Sequence, residues 1–124
     1  MKELDEKQIE EIRKPISESF LSKRPQDNLT SIKPIAISMR FNKVFGYGKW
    51  KIKVNSCEVK PHKREGWHYA TASITFTVPE YNIEYDCVAG SANKDEGDAA
   101  KGAISDCMGK IASWIGIGWE IYCK

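Results

Sequence analysis

The 124-residue chain is poor in histidine, has no closely spaced cysteines and has no long hydrophobic run. Its two histidines, His62 and His68, sit in or beside one loop, six residues apart. That is not a metal-ligand spacing, and both are expected at the surface. The cysteines fall at 57, 87, 107 and 123 without a CxxC pair, which excludes a zinc ribbon, a redox motif and a dense disulfide scaffold. Reduced, mostly buried thiols in a cytosol-like compartment are expected instead. No apolar run approaches the roughly 18 residues that span a bilayer, so no membrane partner is expected. The start, MKELDEKQIEEIRK, is charged throughout and reads as neither a secretory signal nor a transit peptide.

The motifs of catalysis are missing too. The sequence contains no HExxH, no GxSxG and no Walker lysine loop. The acidic run from Asn93 to Asp98 fails as a calcium loop, because placing Gly97 at the turn position puts Ala92 and Lys94 at ligand positions. Glu84 and Asp86 share one face of a predicted strand, with no third acid and no histidine placed to help, and read as solvent-facing charge. The expectation is a protein with no catalytic residue, no metal and no cofactor.

What is present is an ordinary folded composition, 41% hydrophobic and 29% charged, with an uneven distribution of charge. Residues 1–30 carry six basic and seven acidic side chains; residues 31–68 carry nine and two; residues 69–124 carry four and eight. The net charges are therefore −1, +7 and −4, which sum to the chain's +2. A +7 segment of this length is an electrostatic footprint for a polyanion.

Periodicity supplies the elements. Asp5 and Gln8 form a capping box ahead of a short helix through Ile9, Ile12 and Ile16, limited by Pro15. Lys23 to Asn28 reads as a connector. Residues 1–30 are thus an N-terminal helix and connector, and residues 31–124 the core domain. Ser31 as cap and Pro34 in the first turn predict a second helix, whose stripe is Ile37, Phe41, Val44 and Phe45 and whose stop is Gly46. Arg40 and Lys43 fall off that stripe and are expected to face outward. Trp50, Ile52 and Val54 alternate with Lys51, Lys53 and Asn55, a half-buried strand with a basic outer face and no carboxylate to neutralise it. Two more strands, Tyr69 to Val78 and Ile83 to Ala92, follow on short connections and complete an antiparallel meander. A long helix with a stripe of Ala100, Ile104, Cys107, Met108, Ile111 and Ile115 ends at Gly116 and covers one face. The fold class is α+β: a helix–three-stranded meander–helix core with an extra short N-terminal helix.

Three constellations bear on function. The turn Phe45-Gly46-Tyr47-Gly48-Lys49-Trp50 sets an aromatic ring beside lysines, a pairing suited to base stacking and phosphate neutralisation. The basic set comprises Arg40, Lys43, Lys49, Lys51, Lys53, Lys60, Lys63 and Arg64. On the last helix Gly102, Ser105, Gly109 and Ser113 lie away from the apolar stripe. Interior glycines cost about 0.8–1 kcal/mol each relative to alanine, so this face implies close approach by a neighbouring subunit, the protein's own chain or a nucleic-acid backbone.

Two stretches, FNKVFGYGKW at 41–50 and AKGAISDCMGKIA at 100–112 leading into Gly116-Ile117-Gly118, resemble the single-strand annealing proteins of the Rad fifty-two superfamily, nearest the phage Sak-type and bacterial DdrA-type members. The resemblance covers about residues 30–122. It implies a core related to double-stranded-RNA-binding domains, a ring or helical homo-oligomer, and single-stranded DNA held in a positive groove. It also implies ATP-independent annealing for recombination and repair, in the cytoplasm of a bacterial or phage-infected cell. Carried over by position, Lys110 takes the second place of the family's basic pair, Lys101 the basic place before it, and Tyr47 the aromatic of the turn. Gly109 replaces the first member of the pair, and Ile35 and Ala36 occupy the region of a further arginine, for which Lys33 or Arg40 can substitute. The alternative is a basic protein-interaction module that binds an acidic partner without annealing.

Overall fold

The computed structural model describes residues 2–23 and 29–122. Most of the predicted connector, residues 24–28, and Cys123 lie outside them. Helix α1, Glu6–Arg13, starts at the expected capping box: Asp5 accepts from the Gln8 backbone while the Gln8 side chain accepts from Asp5 N. Pro15 stops it, and Ile16 is buried beyond its end.

Two three-residue strands, β1 (Leu21–Lys23) and β2 (Thr30–Ile32), pair antiparallel. The boundary placed between residues 30 and 31 falls inside β2. Ser31 is therefore not a helix cap: it pairs with Ser22, and Lys33 precedes Pro34 at the start of α2, Pro34–Phe45. A hydroxyl committed to a strand register is not available to cap the next element. The α2 stripe of Ile37, Phe41, Val44 and Phe45 is buried as expected, and Gly46 ends the helix at a φ of +101°.

Strands β3 (Lys51–Pro61), β4 (His68–Val78) and β5 (Ile83–Asn93) form the meander in the order β3-β4-β5, all antiparallel. The alternation of β4 sends Ala70, Ala72, Ile74, Phe76 and Val78 into the core. Phe41 meets Phe76 at 4.8 Å and Trp50 at 5.2 Å between ring centroids, which seats α2 on this face. Helix α3, Glu96–Ile115, packs on β4 and β5. Its cap is Asp95, whose side chain accepts from Asp98 N, and its buried line is Ala99, Ala103, Cys107 and Ile111. Ala100, Ile104, Met108 and Ile115 flank this line half-buried, so the contact face is turned slightly from the predicted stripe. Small side chains carry it because helix and sheet approach closely there. Cys87 and Cys107 are buried, and burial pushes the Cys107 thiol up to about 12. Cys57 is the exposed one of the described cysteines, because β3 runs on past the cover of the helices.

The short helix α4, Trp119–Tyr122, returns to α1: Trp119 Nε1 donates to Arg13 O at 3.3 Å and Ile16 N to Glu120 Oε1 at 2.9 Å. Arg40 corrects a further expectation. Rather than facing outward, its side chain is 12% exposed and donates to the carbonyls of Glu11, Lys14 and Pro15. Glu11 O also accepts from Lys14 N at 3.4 Å, whereas Lys14 and Pro15 lie just past the end of α1, with no further turn of helix to satisfy their carbonyls. Beside them, the Glu11 carboxyl is held below its ordinary value chiefly by its hydrogen bond to Lys14, against the opposing effect of burial. Arg40→Ala is expected to cost about 2–3 kcal/mol, the scale of hydrogen bonds to a charged group, and to release α1. Urea unfolding together with limited tryptic proteolysis after Arg13 checks both effects.

Candidate nucleic-acid interface

The small-residue face of α3 was expected to admit another backbone. Part of it meets the protein's own chain. A Cβ on Gly102 would lie 3.0 Å from Ser91 Cβ and closer still to its hydroxyl, so glycine lets α3 close on β5. Beyond that contact the face opens into a groove of about 670 Å³. Gly102, Ser105, Asp106 and Gly109 line one side, Gly90, Ser91 and Ala92 of β5 the floor, and Ser31, Ile32, Pro34 and Ile37 the other side. Arg64 and Trp67, from the turn between β3 and β4, close one end. Ser113 does not line the groove; its hydroxyl donates back to Lys110 O at 2.6 Å.

The groove's electrostatics follow from helix spacing. Lys101, Ser105 and Gly109 are four apart and share one row of α3, so the exposed Lys101 extends the row whose other members line the groove. Asp106 is the lining acid, and Lys110 pairs with it at 2.6 Å, which raises the ammonium above its ordinary pKa and offsets the carboxylate. The first turn of α2 contains no acidic residue, leaving its positive end uncompensated beside the groove. Lys63 is exposed in the same turn as Arg64.

The remaining candidates lie elsewhere. Lys51 pairs with Thr77 and Lys53 with Thr75, and those threonines point away from the core. Both lysines thus stand on the open face of the sheet, opposite α3. The same rows continue to Glu84 and Asp86 on β5. Strand β3 also carries Glu58, 3.8 Å from Lys60. The expectation of an unneutralised strand is corrected: acids flank these lysines along the strand and across the sheet. Asn55 sits at a bulge and donates to Thr75 Oγ1, which donates to Asp86. Tyr47, 83% exposed, and Lys49 follow the carboxyl end of α2. The groove meets the amino end, about 18 Å away along a twelve-residue helix. Lys43 lines a separate cleft between α1 and α2 with Met39 and Arg40.

Sequence reasoning missed Trp67 and Lys94. The Arg64 guanidinium lies 4.5 Å from the Trp67 ring centroid, and Lys94 Nζ lies 5.9 Å from it. An aromatic residue between Arg64 and His68 in a basic turn was the available signal, but Lys94 is reached only through the β4–β5 pairing.

Among the described residues no group of three or more potential metal ligands occurs, and no helix is long and apolar enough to cross a membrane. The comparison with curated proteins gave no match. The family model of the Rad52/22 family double-strand break repair protein matches residues 5–123. That span holds the capping box, the meander and the groove-lining helix alike, and the chain belongs to this family of DNA repair and recombination proteins.

Proposed function

We propose that this chain binds single-stranded DNA in the groove between α2 and α3 and anneals complementary strands without nucleotide hydrolysis. The observation that carries the reading is the groove itself: an open groove of about 670 Å³ floored by small residues, with Arg64 in its wall, Lys63 and Lys101 adjoining lining residues in sequence and helix row, and its lining acid paired with Lys110. Cations set in fixed positions neutralise phosphates and hold a strand extended. Bases left facing outward then test a second strand, and only correct pairing and stacking repay the contacts given up.

The protein acts as a homo-oligomer in this reading. Both β3 and β5 are edges of the sheet, and exposed edges invite pairing. The β3 edge carries Lys51, Lys53 and Lys60 against Glu58, while β5 carries Glu84 and Asp86. Opposite charge on opposite edges favours a head-to-tail contact, which closes as a ring or continues as a helix.

The test is a fluorescence annealing assay with complementary oligonucleotides, in chelator and without nucleotide. Acceleration over the protein-free rate is expected at saturating protein. An unaccelerated rate with single strands bound would leave a DNA-binding module. Failure to bind any single strand, with capture of one acidic protein, would leave an interaction module.

A further inference from the structure

Trp67 is placed unlike the other large aromatic side chains. It is half-buried, stands at the groove wall and takes no part in the hydrophobic core cluster. Trp50 and Trp119 bond their indole nitrogens to protein oxygens, whereas Trp67 Nε1, like that of the exposed Trp114, has no protein acceptor among the described residues. Two cations lie over its ring, and neither Arg64 nor Lys94 has a carboxylate partner among the described residues. The turn is held from within. Trp67 N donates to Arg64 O at 3.1 Å, His62 N to Trp67 O at 2.9 Å, and Arg64 N to His62 Nδ1 at 3.1 Å. A flat apolar face is thus presented at the groove on a braced hairpin, with two unpaired positive charges attached.

Resting on the single-strand reading of the groove, we propose that Trp67 is a stacking platform for one nucleobase of the bound strand, with Arg64 and Lys94 passing from its ring to the phosphates flanking that base. The exchange is favourable on each side. A cation on a half-exposed ring is weakly held, and a guanidinium or ammonium gains a charge-assisted bond on moving to phosphate. The vacated ring face gains a stacked base, and any base serves, because every base has a π-face. One base per subunit then turns inward and sets the register of the strand, while its neighbours remain outward for pairing.

The experiment compares wild type, Trp67→Leu and Trp67→Phe on two strands of equal length, oligothymidylate and an abasic deoxyribose-phosphate strand. Trp67→Leu is expected to weaken binding to oligothymidylate roughly tenfold or more, and Trp67→Phe to recover most of that loss. On the abasic strand, where only phosphates remain, both variants should stay within about twofold of wild type, and the salt slope on oligothymidylate should be unchanged. Equal weakening of Trp67→Leu on both strands, or no weakening on either, overturns the platform. If wild type binds neither strand, the groove reading itself is wrong and the platform falls with it.

Discussion

Arg64→Glu combined with Lys101→Glu is expected to lower single-strand affinity by about 100-fold or more at moderate salt. Each substitution removes a phosphate contact and sets a like charge against the backbone, a juxtaposition that costs several kcal/mol. Binding measured against salt should also lose about 0.7 of slope for each contact removed. The paired control is Lys51→Ala with Lys53→Ala. These lysines lie on the opposite face of the sheet in rows that end at Glu84 and Asp86, so their loss should change affinity by less than about threefold, in line with the small worth of exposed, offset charges. Fluorescence anisotropy on one labelled oligonucleotide reads all four positions. If the sheet-face pair proves the more damaging, the strand lies on the open face and not in the groove.

Gly102→Leu is expected to act on the fold. Leucine gains about 1 kcal/mol in helix propensity over glycine, but its Cβ would press into Ser91 on β5, where α3 and the sheet already touch. Ser91 is short and stands on a paired strand, so α3 must lift, which breaks the close packing of Ala99 and Ala103 on Ala70 and Ala72. Overpacking of this kind costs about 1–3 kcal/mol and more where backbone must move. A net loss of about 2 kcal/mol lowers the melting temperature by roughly 6–10 °C in a domain of this size. Calorimetry or circular dichroism decides it; an unchanged melting temperature would mean that the helix and sheet contact is loose. The expectation for Gly102→Ala is smaller and of the same sign, since the Cβ alone makes the clash.

Several parts of the architecture are written in short stretches of chain. Asp5 and Gln8 satisfy each other within one turn, so the capping box is readable from two letters. The two-residue period of β4 and the stripe of α2 each require only that alternate or fourth residues share a face, and both reappear as buried rows. Positive φ at Gly46 and Gly116 ends α2 and α3 where glycine stands, because other residues resist that conformation. The Rad52 resemblance drew on the same stretches, and the family match covers them.

Other features depend on which segments meet. Arg40 falls off the α2 stripe, and nothing in its neighbourhood of sequence reveals that the carboxyl end of α1 arrives beside it with the carbonyls of Glu11, Lys14 and Pro15 turned toward its guanidinium. Ser31 has the chemistry of a helix cap, yet pairing with Ser22 draws it into a strand. Lys51 and Lys53 share a face by local period, but only the sheet register sets that face against Glu84 and Asp86 and away from α3. Trp67 and Lys94 are 27 positions apart by their numbers and meet through β4–β5 pairing. Periodicity measures how one element divides its own faces. It carries no information on which charges a second element brings to that face, because that is settled by long-range register and by the closeness that small residues such as Gly102 allow. The sequence by itself determined α1, α2, the meander and α3, their order and the α+β class; the β1–β2 pair, the groove, its cations and its aromatic end came into being only when distant segments met and α3 closed on the sheet.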